Sequence, residues 1–119
     1  MEEKINTFRD LRIWQKGIEL VKEIYRITNH FPKEEQYCLT SQMRRAAVSV
    51  PTNVAEGFRR HHPKEYKQFI NIALGSLGEL ETLTVIAEEQ KYINAAENAR
   101  VLELINYLCG MSINLSKKL

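Results

Sequence analysis

Hydrophobic and polar residues recur along the chain at the three- and four-residue spacing of amphipathic helices in four successive stretches. From Leu11 to Thr28, the residues Arg12, Gln15, Lys16, Glu19, Lys22, Glu23 and Arg26 share an arc of about 120°. The remaining arc, roughly 200° wide, holds Leu11, Ile13, Trp14, Gly17, Ile18, Leu20, Val21, Ile24, Tyr25 and Ile27. That is about twice the apolar width that an outer helix of a monomeric bundle requires. Either one side faces the bundle and the other a second subunit, or the helix is buried at the centre of its own domain. A single four-helix domain offers little such depth, so the pattern predicts a homo-oligomer with Ile13, Leu20, Ile24 and Ile27 at its interface.

In the second stretch Leu39, Met43, Ala46, Ala47, Val50, Val54 and Gly57 fall on one flank built mainly of small side chains, which lets a neighbouring helix approach closely. Pro51 interrupts it by removing a donor and crowding the carbonyl of Ala47, so a kink is expected there. Ser49, Thr52 and Asn53 are placed to satisfy freed backbone groups, which favours one bent helix over a helix that stops at Ser49 and restarts at Pro51.

The third stretch begins at Pro63 and places Tyr66, Phe69, Ile70, Ala73, Leu77, Leu80, Leu83 and Ala87 at helical spacing. Gly75 and Gly78 cost this helix about 1 kcal/mol each, so close packing is expected at them. The fourth opens on Asn94-Ala95-Ala96-Glu97, a capping box with Asn as the cap, and turns Val101, Leu102, Ile105, Leu108, Cys109, Ser112 and Leu115 inward. The predicted fold is all-α: an antiparallel up-down four-helix bundle with helices at about 10–29, 33–60, 63–90 and 94–117, in one domain of 119 residues after a flexible lead over 1–9.

Two segments carry a resemblance. The run from Ser41 through Met43-Arg44-Arg45-Ala46-Ala47-Val48-Ser49-Val50-Pro51-Thr52-Asn53-Val54-Ala55-Glu56-Gly57, and Phe69-Ile70-Asn71-Ile72-Ala73-Leu74-Gly75-Ser76-Leu77-Gly78-Glu79-Leu80-Glu81-Thr82, look like the signature of a known family. With the opening Phe8-Arg9-Asp10-Leu11-Arg12-Ile13-Trp14-Gln15-Lys16, the chain resembles the four-helix bundle proteins encoded by intervening sequences in bacterial 23S ribosomal RNA genes, the S23 ribosomal protein-like family. The resemblance implies an up-down bundle that assembles into ring-shaped homopentamers. It also implies kinship with a branch that serves diversity-generating retroelements as a nucleic-acid-binding accessory subunit.

Composition narrows the function classes. A 44% hydrophobic share suits one domain able to bury about two thirds of its unfolded surface. Cys38 and Cys109 stand apart without ligand spacing, which points away from a zinc site or a disulfide framework and toward a reduced, cytoplasmic chain. The start Met1-Glu2-Glu3-Lys4-Ile5-Asn6 lacks the apolar core of a signal peptide, and no unbroken apolar run approaches the roughly 18 residues of a membrane span. Net charge is only +2, from 17 basic and 15 acidic residues, so any basic surface must come from local clustering.

The clearest cluster is Arg59-Arg60-His61-His62-Pro63-Lys64, continued by Lys67 and, back along the second helix, by Arg45. It lies where that helix ends and the third begins. Helix-end capping accounts for basic residues in such a place, and so does phosphate binding, which a cyclic oligomer would multiply on one rim. No aromatic interleaves the run, so backbone contact with RNA or DNA is expected, with little sequence preference. Arg44 with Glu79 or Glu81, within one chain or between subunits, reads as a structural ion pair that fixes helix register, because no third partner or pocket signal accompanies the carboxylates. His30, His61 and His62 lack the spacing of a helical metal site and read as turn residues. The expectation is a non-catalytic oligomeric module that binds RNA or DNA through a basic rim and needs no cofactor. The alternative is a scaffold that docks a partner enzyme such as a reverse transcriptase.

Overall fold

A computed structural model describes residues 4–119 and contains four helices, α1 (Arg12–Thr28), α2 (Leu39–Arg59), α3 (Pro63–Glu89) and α4 (Ala95–Lys117), with no strand among the described residues. Local chemistry sets each start. Pro63 opens α3, where its missing N–H removes nothing a helix would use. At α4 the capping box forms: the Glu97 N–H donates to Asn94 Oδ1 at 2.8 Å, and the Asn94 N–H donates to Glu97 Oε1 at 3.0 Å.

Two expected boundaries move. The second helix was expected from residue 33, but Pro32 and the acidic pair after it build only a single 3-10 turn, Lys33–Glu35. The chain then bends through Cys38, at φ −121° and ψ −105°, and α2 begins at Leu39, whose N–H donates to Glu35 Oε1 at 3.3 Å. Glu35 thus still caps a helix start, from outside it. The first helix, expected from about residue 10, begins at Arg12, after a lead that has structure of its own where it is described. Phe8–Asp10 forms a 3-10 turn closed by its own capping box between Thr7 and Asp10; residues 1–3 lie outside the described residues.

Each helix packs against the next in sequence and α4 returns against α1, while the diagonal pairs stay apart. Between α1 and α2, Gly17 lies against Pro51 and Arg44 Nε donates to Thr28 Oγ1 at 2.9 Å. Between α2 and α3, Gly57 faces Tyr66 and Phe69, and the hydroxyls of Ser49 and Ser76 share a 2.8 Å hydrogen bond. Between α3 and α4, Asn98 Nδ2 donates to Glu88 Oε2 at 2.9 Å, with Glu81 near Ile105 further along. Between α4 and α1, the Lys16 ammonium sits 5.4 Å from the centre of the Tyr107 ring and Arg100 lies 4.0 Å from Glu23. In every pair the numbers rise on one helix as they fall on the other, so neighbours run in opposite directions. The long axis of the molecule, 43 Å, is about the length of α3 alone at 1.5 Å per residue.

The inward faces follow the sequence pattern closely. Leu39, Met43, Ala46, Ala47, Val50 and Val54 of α2, Ile70, Ala73, Leu77, Leu80, Leu83 and Ala87 of α3, and Val101, Ile105 and Leu108 of α4 are all buried. α2 runs unbroken through Pro51, and the carbonyls of Val48 and Ser49 accept from Thr52 Oγ1 at 2.7 Å and Asn53 Nδ2 at 2.8 Å. The expectation for α1 does not hold. Ile13, Leu20, Ile24 and Ile27 are at most 4% exposed within a single chain, so none of them is available to a second subunit. Most of the wide apolar arc is sheltered at home: Trp14 packs against Phe8 of the lead, with ring centroids 5.5 Å apart, and Leu11 and Val21 pack on the core, while Tyr25 stays 45% exposed.

The open apolar surface lies elsewhere. Ile72, Val85 and Ile86 of α3 are 51%, 47% and 42% exposed, and the close packing expected at Gly75 and Gly78 is absent, since a Cβ at either would meet nothing within 4 Å. Judged by length and mean composition rather than by unbroken runs, α3 is long and apolar enough to cross a membrane, with a mean hydropathy of 1.3 over a window only 33% buried.

Candidate nucleic-acid interface

The basic cluster is assembled by a three-residue turn. α2 ends on Arg59 and Arg60; His61 takes a left-handed conformation at φ 55°, which reverses the chain, and His62 leads into Pro63 and α3. A side chain with Cβ adopts that backbone only at some cost, and His is among the residues that tolerate it best. Arg59, Arg60, His61, His62, Lys64 and Lys67 are all exposed around this turn. Beneath them lies an aromatic layer. The Arg59 guanidinium sits 5.5 Å from the centre of the Phe8 ring and that of Arg60 5.1 Å from the centre of Phe69. Phe58 packs edge-on against Tyr66 at 6.2 Å, and burial pushes the Tyr66 hydroxyl's pKa up.

Helix-dipole chemistry separates the two explanations for these cations. Arg59 and Arg60 stand at the C-terminus of α2, where a positive charge is favoured by the helix itself. Lys64 stands in the first turn of α3, where a positive charge is disfavoured, and Lys67 follows just beyond that turn. Glu65 is the acidic residue in that first turn, and its carboxylate is 4.0 Å from Arg60, a loose and exposed pair worth little. Capping therefore accounts for Arg59 and Arg60, does not account for Lys67, and runs against Lys64.

Arg45 does not join this surface. It precedes Arg59 by fourteen residues, about 21 Å along α2, and borders a shallow groove with Gln42, Ser49, Ser76 and Glu79. Within the chain, the expected pairing of Arg44 with Glu79 or Glu81 is not formed either. Arg44 turns toward α1, donating to Thr28 Oγ1 and resting 4.6 Å from the centre of the Tyr25 ring, while Glu79 and Glu81 stay exposed on α3. Tyr25 had been counted in the apolar arc of α1; its ring instead carries a cation.

Sequence reasoning missed several cations at the same end of the molecule. α1 begins beside Phe8 and hence beside Arg59, which brings Arg9 to the cluster. α4 passes Lys16 at Tyr107 and continues to the end where α1 starts, so Lys117 and Lys118 finish there too. These residues are remote from Arg59 in sequence; only the pairing of neighbouring helices unites them. Among the described residues, no group of three or more His, Cys, Asp and Glu side chains gathers as a metal site, and Cys38 and Cys109 are free thiols.

Comparison with known proteins fits this architecture. Residues 9–114 match the family described as 23S rRNA-intervening sequence protein. The chain belongs to that family. A crystal structure of a protein of unknown function from the S23 ribosomal protein family of Bacteroides thetaiotaomicron superposes with a TM-score of 0.81 at 18% identity, over 88% of this chain and 95% of that one. At that identity the likeness establishes the shared fold. No curated protein matches the chain. As a 23S rRNA-intervening sequence protein it carries the family fold on residues that also form the basic end, from Arg9 through Lys67.

Proposed function

We propose that this member of the 23S rRNA-intervening sequence family is a non-catalytic, cytoplasmic module that binds the phosphate backbone of RNA or DNA through Arg59, Arg60, Lys64 and Lys67, with His61 and His62 on the same surface. The observation that carries the reading is Lys64, exposed in the first turn of a helix that disfavours a cation there, with exposed Lys67 one turn on and Arg59 and Arg60 across the turn. A cation placed against the helix dipole is explained by an external anion. Contacts of this kind read charge rather than sequence, and their affinity falls with salt at a slope of about −0.9 per phosphate engaged on duplex DNA.

The reading includes self-association, as the pentamer implied by family resemblance. The surface we assign to it is the outer face of α3. Ile72, Val85 and Ile86 flank the open glycines Gly75 and Gly78, and from Gln68 to Gln90 the helix has no basic residue. Two mid-helix glycines in open space bring nothing to an isolated chain, whereas they let the helix of another copy come close. A ring would repeat the basic end on one side and turn weak single contacts into useful affinity.

The test is titration of fluorescent RNA duplex, structured RNA and DNA duplex over a salt series, with the Arg59→Ala, Arg60→Ala, Lys64→Ala triple variant beside the unaltered chain. Salt-sensitive binding that the triple variant loses supports the reading; absence of binding at low salt, or binding untouched by the substitutions, rejects it. Light scattering of Gly78→Leu against the unaltered chain tests the assembly. The same α3 face favours the second reading, a scaffold that docks a partner enzyme such as a reverse transcriptase. A monomer in light scattering that co-purifies from its host with such an enzyme would select that reading.

A further inference from the structure

We propose that Phe8 and Phe69 are positioning residues for phosphate binding, each holding one guanidinium ready on either side of the α2–α3 turn; this rests on the nucleic-acid reading above. All five N–H donors of arginine lie in the plane of the group, and a ring in a cation–π contact engages its face. A guanidinium lying flat on its ring offers its donor edge to the paired oxygens of a phosphate; Arg59 over Phe8 is placed for this, and Arg60 over Phe69 would exchange its loose 4.0 Å contact with Glu65 for the phosphate. A free arginine gives up rotamer freedom when it captures an anion, and that loss weakens binding. A ring already seated against the guanidinium removes part of the loss beforehand.

The two rings are themselves fixed, by different means. Phe69 is half-buried, and its Cβ is among the atoms closest to Gly57. Phe8 lies outside the bundle core and is held by a small polar framework. The N–H groups of Asn6 and Thr7 donate to Asp10 Oδ2 at 2.9 and 3.0 Å, the Arg9 N–H donates to Thr7 Oγ1 at 3.1 Å, and Gln15 Nε2 donates to the Arg9 carbonyl at 2.9 Å. Trp14 closes the ring from the other direction, centroids 5.5 Å apart. A one-turn element with no buried residue of its own is thus held in one place, and its effect is to put Phe8 under Arg59 and exposed Arg9 next to it. The ligand this suits is a run of phosphodiesters crossing the turn, met by Arg9 and Arg59 on the α1 side and by Arg60, Lys64 and Lys67 on the α3 side.

A double-mutant cycle on RNA-duplex affinity tests the proposal. Phe8→Leu is expected to weaken binding about two- to fivefold, the worth of an exposed cation–π contact, with the salt slope unchanged because no charge is removed. Phe8→Tyr keeps the ring and is expected to keep the affinity. In an Arg59→Ala background Phe8→Leu should have no further effect, since the ring then has nothing to hold. An equal loss in both backgrounds, or an unaltered affinity for Phe8→Leu in the native background, overturns the positioning role. If the Arg59, Arg60, Lys64 triple variant binds as the unaltered chain does, the nucleic-acid reading itself falls; if only the Phe8 cycle fails, that reading stands.

Discussion

Two pairs of glycines in this chain do opposite things. Gly17 and Gly57 sit where helices of one chain touch: a Cβ on Gly17 would lie 3.2 Å from the Pro51 ring, and one on Gly57 would come within 2.9 Å of Phe69 Cβ and of Tyr66 Cδ1. Gly75 and Gly78 lie on the outer face of α3 with nothing near them. The residue type and its helical setting are the same in all four cases, so propensity alone does not say why a glycine is present. The inner pair is explained by the bundle; the outer pair asks for a neighbour that the single chain does not supply.

The sharpest way to press this contrast is to truncate one apolar side chain on each face of α3. Leu77→Ala, on the fully buried side, is expected to cost about 2–5 kcal/mol in urea unfolding. Ile72→Ala, on the open side, is expected to cost less than about 1 kcal/mol in dilute single chains. A comparable loss at both would mean that the outer face is covered in the species measured. Next in size, Gly57→Ala is expected to destabilise by about 1–3 kcal/mol, because Phe69 Cβ and the Tyr66 carbonyl are not free ends that swing aside. Gly75→Ala and Gly78→Ala should act in the reverse sense, each raising the stability of the dilute chain by up to about 1 kcal/mol. A loss of stability at either site would place a close neighbour there.

The smallest effect concerns the seam between α1 and α4, which is polar where the α2–α3 contact is tight and small-sided. A hydrogen bond from Arg26 holds the Glu23 carboxyl below its usual pKa, against a lesser opposing effect of burial, with Arg100 adding to the depression. A depressed carboxylate contributes stability above its unfolded pKa and loses it as pH falls through the folded value. The unaltered chain should therefore show a slight decline in melting temperature below about pH 4.5 that Glu23→Gln lacks.

The helices and their inward faces were legible because burial repeats at 3.6 residues, and Pro63 and the Asn94 capping box marked two starts from local chemistry alone. The start of α2 was not. Pro32 with Glu34 and Glu35 gives a true turn signal, but nothing in those residues says that the chain will bend again at Cys38. The arc on α1 was read correctly as apolar and wrongly as uncovered, since the periodicity of the helix itself does not say which residue outside it packs on Trp14, and Phe8 does so. Arg59 through Lys67 were legible as a cluster because they adjoin in sequence. Arg9, Lys117 and Lys118 were not, because only helix pairing unites them with it. Arg44 misled for a related reason: a shoulder position names two possible neighbouring helices, and Tyr25 and Thr28 of α1 offered the better contacts.

An even number of antiparallel helices returns the chain to the side it left. Lys4, beside the start of α1, and Leu119, after α4, lie at the same end of the bundle as the α2–α3 turn. A purification tag or fusion partner attached after Leu119 would thus share an end of the molecule with the positively charged surface and compete with whatever approaches it. The five-residue connection between α3 and α4, at the far pole, is the place for a label that must leave that surface clear.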